Sequence, residues 1–423
     1  MVAVTSETLD ATNIKAGVAH AASSERKREL RVLQVFSVLG MGGAETWLMS
    51  LLKYFQEQRE ELPVKVKFDV LLTGGTKALF DDEATALGAR LFYVPFTRRN
   101  LAGFARKFRR ILAAGNYDAI HDHQDYISGL HFLMGAGHLP PIRIAHVHNP
   151  LYHRSHYANG FGRRTAKSAG KFFLGRLATH VMGTSRQIVT EYGFDDLASG
   201  DVILGSAHCG FDVTQYQGDY KEAHSAVCRE LGWDQSAKII LFVGRLESDE
   251  VIHLGRKMTH KNPAFALDVA RECIARDNRV RLLMVGSGEA KRREFENGVS
   301  DCGLAEKIRF VGVRSDVPRL MLASDLLLFP SLAEGLGMVL VEAQAAGLRV
   351  LASDTTPREC VVIPKIIEFL SLAASCEHWG QKAVQLINCP RPDSLACNKA
   401  VRNSGFSIEN SASRLLQLYA GSE

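Results

Sequence analysis

The sequence predicts an α/β fold of two Rossmann-like domains facing a central cleft, and three observations carry the prediction. From Val32 onward, short apolar runs alternate with amphipathic stretches, the pattern of repeated strand and helix units around a parallel sheet. The alternation lapses over SAHCGFDVTQYQG, Ser206 to Gly218, and then resumes, which divides the chain into two similar units. The 423 residues fit two or three domains at about 150 residues each. A composition 46% hydrophobic and 23% charged is that of a globular chain able to bury sizeable cores.

In the first unit the expected strands are Val32–Val38, Val66–Leu72, Arg90–Val94, Ala119–His121, Ile142–His146 and His180–Met182. Leu101, Phe104, Ala105, Phe108, Ile111 and Leu112 recur at three- and four-residue spacing, so they form one helical face while Arg106, Lys107, Arg109 and Arg110 stay in water. In the second unit strands are expected at Ile239–Val243, Arg281–Val285, Ile308–Val311, Leu326–Phe329 and Val350–Ala352, with a last helix over about Ser407–Tyr419. The resulting division is a tail over 1–29, a first domain over 30–208, a second over 209–405 and a terminal helix over 406–423. Two such domains in tandem place ligands at the carboxyl ends of the strands, in the cleft between them.

Residues 1–29 are rich in Ala, Ser, Thr and Glu without an apolar core, so they read as a disordered tail rather than a secretory signal, and export is not expected. No stretch reaches the roughly 18 apolar residues of a membrane span. The longest charge-free run, Tyr126 to Ile142, is broken by Gly129, Gly135, Gly137, Pro140 and Pro141. All eight cysteines follow residue 208 and none forms a CxxC pair, which fits neither a disulfide framework nor a zinc site but suits reduced thiols in the cytoplasm.

The charge is uneven. The chain has 51 basic and 46 acidic residues; residues 1–211 hold 25 and 19 of them, leaving 26 and 27 for the remainder. Arg98–Arg110 contributes six basic residues and Arg143–Arg186 eight, neither segment containing an acid, so together they hold 14 of the 25. They read either as solvated helix faces or as a surface drawn to anionic lipid headgroups. Nucleic acid is a poorer partner, because no aromatic platform accompanies the charge.

The chemistry-bearing segment is Glu334-Gly335-Leu336-Gly337, which follows the apolar run LLLF and runs into a helical pattern from Met338. Such a turn lets backbone N–H groups approach a phosphate, and the helix start adds about half a positive charge there. Glu334 precedes the helix and Glu342 lies within it, so the two carboxylates can address different ends of one ligand. On spacing alone, a surface glutamate plus a helix-face glutamate is an equal reading.

The segment E-G-L-G-M-V-L-V-E resembles the EX7E motif of the retaining family-4 glycosyltransferases, which have the two-domain GT-B architecture. Phe242-Val243-Gly244-Arg245 is similar to the family's VGR, Lys261-Asn262-Pro263 to its KNP, Val285-Gly286-Ser287-Gly288 to its GxG, and Phe310-Val311-Gly312 to its F-x-G. Gly40-Met41-Gly42-Gly43-Ala44-Glu45 resembles the GGAE loop of polysaccharide-building members, and the likeness runs from about Val32 to Tyr419.

The resemblance implies a sugar transfer from a UDP- or GDP-sugar to a glycan or lipid-linked acceptor, with retention of configuration and in cell-surface polysaccharide biosynthesis. Glu342 would hold the ribose and Glu334 the donor sugar. Arg245 and Lys261 would stabilise the departing diphosphate, since preorganised cations stabilise charge that develops on a leaving group. Gly335, Leu336, Gly337, Gly244, Gly286 and Val313 would line the donor, Gly42 and Gly43 an acceptor or phosphate loop, and His123 would stand beside the donor sugar. It also implies a terminal helix crossing back to the first domain, and a peripheral location at the inner face of a membrane.

The fifteen residues LESDEVIHLGRKMTH between Arg245 and Lys261 make a longer loop than is usual in the family, and Lys257 within it is the alternative cation. Lys261 is favoured because Pro263 suits an early helical position. A same-fold hydrolase or epimerase, and a non-catalytic sugar-nucleotide-binding scaffold, are the competing functions.

No Asp-x-Asp occurs in the chain, so neither metal nor cofactor is expected. His121, Asp122, His123 and Asp125, with His146 and His148, form the competing metal set. Alternation along a strand sends neighbours to opposite faces, so the set is not expected to converge. His146 and His148 share a spacing that suits acceptor contacts or plain strand-end histidines. Gly42-Gly43 reads as a loop for close substrate approach or as a turn the backbone requires. Ser185 reads as a helix N-cap. Gly286 and Gly288 complete no dinucleotide fingerprint, because Lys291 stands where the third glycine belongs.

Overall fold

The computed structural model describes residues 29–151, 161–247, 251–253 and 256–421. The tail expected over 1–29 lies outside them except for Glu29, which opens the first strand. The first sheet contains β1 (Glu29–Phe36), β2 (Lys65–Leu72), β3 (Arg90–Tyr93), β4 (Ala119–Asp122), β5 (Ile142–Val147), β6 (His180–Gly183) and β7 (Ile203–Ser206). All are parallel, in the order β3-β2-β1-β4-β5-β6-β7.

Side-chain alternation along β1 builds both faces of this sheet. Leu33 and Val35 join Phe104, Phe108 and Leu112 of the helix Leu101–Gly115 in one cluster. Leu30, Val32 and Phe36 join Trp47, Leu48 and Leu52 of the helix Gly43–Glu57 in another. The apolar stripe expected over 101–112 is realised except at its first position, since Leu101 is exposed at the helix start.

The second sheet contains β8 (Lys238–Val243), β11 (Val280–Val285), β12 (Ile308–Phe310), β13 (Leu326–Phe329), β14 (Arg349–Ser353) and β15 (Ile367–Leu370), in the order β12-β11-β8-β13-β14-β15. Between β8 and β11, the strands β9 (Val251–His253) and β10 (Arg256–Met258) pair antiparallel as a hairpin, where a loop was expected. Within each sheet the first strand lies between the second and the fourth. The chain therefore reverses its winding beside β1 and β4 in one domain and beside β8 and β13 in the other, the positions where open α/β sheets form crevices.

Two edge strands, β7 and β15, have no counterpart in the expected set. The residues of β7 end in Gly-Ser with Ile203 exposed, and β15 contains Glu368, so neither shows the continuous apolar run of a central strand. All eight cysteines are free thiols. Among the described residues no helix is long and apolar enough to cross a membrane.

The terminal helix, Ile408–Ala420, packs on the first domain as expected. Leu415, Leu418 and Tyr419 are buried against the β1 face, each aliphatic side chain contributing roughly 2 kcal/mol. Gln34 Nε2 donates to the Tyr419 hydroxyl at 3.0 Å, and Trp47 Nε1 donates to Ser411 Oγ at 3.1 Å. The chain crosses between domains twice, side by side: Phe211 N donates to Phe406 O and Ile408 N to Phe211 O, both at 3.0 Å.

Candidate functional site

The crevice of the second sheet is charged. β13 ends at Phe329, and the chain turns through Ser331 and Glu334 before the helix Met338–Ala345. Gly337 caps that helix with φ +86°, a left-handed conformation that side-chain-bearing residues rarely adopt, so the glycine is what permits the turn. Glu334 is buried, and its Oε1 accepts from Lys261 Nζ at 2.6 Å and from Ser331 Oγ. Burial would push its carboxyl up, but the Lys261 ammonium, with His260 and the hydrogen bonds from Lys261 and Ser331, outweighs burial and holds it below the ordinary value.

Lys261 reaches this position because Asn262, at φ +56°, breaks into the helix Pro263–Arg276 with proline in its first turn. Lys257, the alternative cation, belongs to β10, and its side chain lies outside the described residues. Gly286 supports the same turn from below: a Cβ there would lie 1.9 Å from Gly244 O, so the strand ends of β8 and β11 can approach this closely only without one. A Cβ on Gly244 would meet Lys261 Cγ at 3.1 Å. Arg245 follows on the same turn, exposed.

Glu342 lies on the far side of the helix start and is hydrogen-bonded to Tyr216. Burial pushes its carboxyl up to about 7, with the Tyr216 hydroxyl and the Lys261 charge opposing the rise. Leu336 is buried in the core of the second domain, so only its backbone faces the turn. Val313 is exposed, three residues after β12. Sequence reasoning missed Ser331, His260 and Tyr216. Ser331 lies only three residues before Glu334 but belongs to no motif, while His260 and Tyr216 come beside the glutamates through the fold.

The crevice of the first sheet is neutral and rich in histidine. His121 and His123 alternate onto the same face of β4 as Gln34 on β1, while His146 and His148 lie at the end of β5. His121 Nδ1 meets the Tyr419 hydroxyl at 2.8 Å and its Nε2 meets His146 Nδ1 at 3.1 Å. His123 Nδ1 meets His148 Nε2 at 2.8 Å, and its Nε2 meets Gln34 Oε1 at 2.7 Å. Phe36 stacks on the His123 ring, with centroids 4.1 Å apart. Burial first, and the neighbouring imidazoles second, hold His121, His123 and His146 well below the ordinary value and His148 down to about 3.

This corrects one expectation and upholds part of its reasoning. Asp122 does point to the opposite face, where its carboxylate accepts from His131 Nδ1 at 2.7 Å and Ser128 Oγ at 2.8 Å. The histidines nevertheless converge, because residues two apart on a strand share a face. The donor atoms of His121, His123 and His146 lie within 4.8 Å of one another, close enough to hold a metal ion. In the present arrangement the imidazoles hydrogen-bond to one another instead.

Gly42 has an ordinary extended backbone at the start of its helix, so no special turn requires it. A Cβ there would meet Glu45 Oε2 at 2.2 Å, whereas one on Gly43 would have open space. Of the two readings for this loop, a turn that only a glycine backbone allows is not what Gly42 adopts.

The basic segments fare differently. Arg98, Arg99, Arg106, Lys107, Arg109 and Arg110 are all exposed on or before one helix. In the other segment Arg143 donates to the Pro140 and Pro141 carbonyls, Lys171 pairs with Asp196 and Arg186 with Asp195. Three of its six described cations are thus committed to polar partners within the protein, while the Arg154 and Arg163 side chains lie outside the described residues.

Two parallel-sheet domains of one topology, with a glycine-rich charged crevice in one and a neutral crevice in the other, have the architecture of the GT-B class. The same architecture occurs in the crystal structure of Anabaena HepE in complex with UDP, at TM-score 0.71 and 16% identity over 93% of this chain and 100% of that one. The model described as Glycosyltransferase Family 4 matches residues 41–195, and that described as Glycosyl transferases group 1 matches residues 237–388. The chain belongs to this glycosyltransferase family. It is 26% identical to the EpsF protein of Bacillus subtilis (strain 168), over 92% of this chain and 96% of that protein. It is 23% identical to the UDP-Gal:alpha-D-GlcNAc-diphosphoundecaprenol alpha-1,3-galactosyltransferase of Escherichia coli, over 89% and 96%.

Proposed function

We propose that this glycosyltransferase transfers a sugar from a UDP- or GDP-sugar to a glycan or lipid-linked acceptor, retaining anomeric configuration, in cell-surface polysaccharide biosynthesis. The observation that carries the reading is the buried Lys261–Glu334 pair at the glycine turn before the helix of Glu342. A diphosphate entering there would draw Lys261 away from Glu334 and release the carboxylate to accept from a sugar hydroxyl. Arg245 would approach the same diphosphate from the neighbouring turn, and Glu342 would accept from ribose hydroxyls. Support comes from the UDP held by HepE and from the UDP-galactose and diphosphoundecaprenol in the name of the Escherichia coli relative.

In the reaction, the acceptor hydroxyl oxygen bonds to the anomeric carbon on the face from which the phosphate oxygen leaves. The hydroxyl proton passes to that departing oxygen, and Lys261 and Arg245 stabilise the charge developing on the diphosphate. The reading needs no metal. His123, whose ring nitrogens face His148 and Gln34, would contact the donor sugar by exchanging one of these bonds. The helix Leu101–Gly115, with its exposed basic residues, would rest on anionic lipid at the cytoplasmic face.

The test is to supply UDP- and GDP-sugars with membrane extract and follow nucleotide diphosphate release together with sugar incorporated into acceptor. Transfer that disappears with Glu334→Ala and Arg245→Ala supports the assignment. Nucleotide release without incorporation would favour the hydrolase reading, and binding without turnover the scaffold.

A further inference from the structure

Ser185 lies at the start of the helix Arg186–Glu191 and is buried. Its oxygen accepts from Ile188 N at 3.4 Å, the N-cap bond expected from sequence. The same hydroxyl donates to Gly335 O at 2.6 Å, across the cleft. Gly335 is the residue after Glu334, so this bond holds the turn that carries the buried carboxylate. A second bond runs alongside it, from Arg186 N to Glu359 Oε1 at 2.6 Å.

Gly335 also fits a slot of the first domain. A Cβ on it would lie 2.1 Å from His148 O, 3.0 Å from Thr184 Oγ1 and 3.1 Å from Ile188 Cδ1. The nearest wall is backbone at the end of β5, and the His148 ring is fixed by its bond to His123. It cannot yield as the tip of a flexible side chain would. A glycine is required here by the other domain rather than by its own turn.

We propose that Ser185, Glu359 and the Gly335 slot form a latch that fastens the Glu334 turn to the first domain when the cleft is closed, with Ser185 as a positioning residue. The paired chain crossings at Phe211 and Phe406–Ile408 provide the pivot. Closing brings Gly335 into the slot, and the Ser185 hydroxyl then places the turn, and with it Glu334, at a set distance from the histidine crevice. The latch rests on the donor reading above only for its response to nucleotide.

The test is hydrogen–deuterium exchange and small-angle scattering on the full chain, with UDP and, separately, GDP as probes. Ser185→Gly keeps most of the helix cap but deletes the cross-cleft donor, whereas Ser185→Thr keeps both functions. We expect exchange over residues 334–337 to rise about tenfold in Ser185→Gly, the loss of one buried hydrogen bond. We expect it to return in Ser185→Thr, with transfer turnover following the same order and UDP affinity changing less than twofold. Gly335→Ala should enlarge the radius of gyration, with or without UDP. Faster exchange confined to residues 186–188 would show a cap and nothing more, and a Gly335→Ala chain as compact as wild type would overturn the slot. If neither UDP nor GDP changes the wild-type chain while the exchange pattern holds, the donor reading fails and the latch stands.

Discussion

The two domains share one strand order and differ in what they place at its reversal. Beside β8 and β13 stand Glu334, Lys261, Arg245 and Glu342, arranged on glycine turns and poised for a charged ligand. Beside β1 and β4 stand His121, His123 and Gln34, closed on one another and on Tyr419, with burial keeping the imidazoles neutral. Topology makes the crevice, and side chains decide whether it handles charge or seals a core. Substitutions in the charged crevice should therefore act on turnover, and substitutions at His121 and His146 on stability, with His123, placed beside the donor sugar, acting on both.

The largest expected effect is at the ion pair. Lys261→Ala removes a charge stabiliser of the leaving group and should lower kcat by about 100- to 1,000-fold. It also leaves Glu334 buried without its cation, at a cost of about 3 kcal/mol in denaturant unfolding. Adding Glu334→Gln should restore most of the stability and none of the turnover. Recovery of turnover in the double variant would break the comparison at its charged end.

His121→Ala comes next. It removes a buried ring together with its partners for Tyr419 and His146, and should cost about 2–4 kcal/mol of unfolding free energy while leaving UDP affinity within twofold. A variant of wild-type stability that no longer turns over would move this crevice from structure to chemistry.

Acid provides a graded version of the same test. The unfolded chain protonates these imidazoles from about pH 6.5 downward, while the folded chain holds them neutral to much lower pH. Stability should therefore be full above pH 6.5 and fall below it, each buried histidine contributing about 1.4 kcal/mol per pH unit. Unfolding curves from pH 7.5 to 5.5 should be flatter for His146→Gln than for wild type.

Glu342 should behave in the opposite sense. Its carboxyl titrates near 7 in the folded chain and near its ordinary 4.5 when unfolded, so ionisation weakens the fold as pH rises through that interval. Glu342→Gln should raise stability by about 3 kcal/mol at pH 8 and by less than about 1 kcal/mol at pH 5, while abolishing nucleotide binding. Equal melting temperatures for the two chains at pH 8 would contradict it. The smallest effect is at the surface: flotation with anionic vesicles should weaken with salt and with charge reversal at Arg106 and Lys107, and equal binding to neutral vesicles would count against a lipid-facing helix.

Much of the fold is legible in sequence because central parallel strands must be apolar on both faces, which is why β1, β8, β11 and β13 stand out. The edge strands β7 and β15 carry no such obligation and were missed, as was the β9–β10 hairpin. The charged crevice is legible for a different reason: glycine turns and their flanking glutamates are local in sequence. The convergence of His121, His123 and His146 was not read, because it depends on β4 and β5 lying side by side.

By itself, then, the sequence determined two α/β domains, a glycine turn at Glu334 ahead of a helix and a proline-led helix after Lys261, since periodicity, glycine turns and proline positions act over a few residues; the Lys261–Glu334 pair, 73 residues apart, came from the fold. Only the tertiary structure decided that Ser331, His260 and Tyr216 hold the glutamates, that four histidines close into one neutral network, and that Gly335 fits a slot of the other domain. Apart from Ser331 and Glu334, three positions apart, those contacts join residues tens to hundreds of positions apart, so they follow from strand order and domain closure rather than from any local pattern.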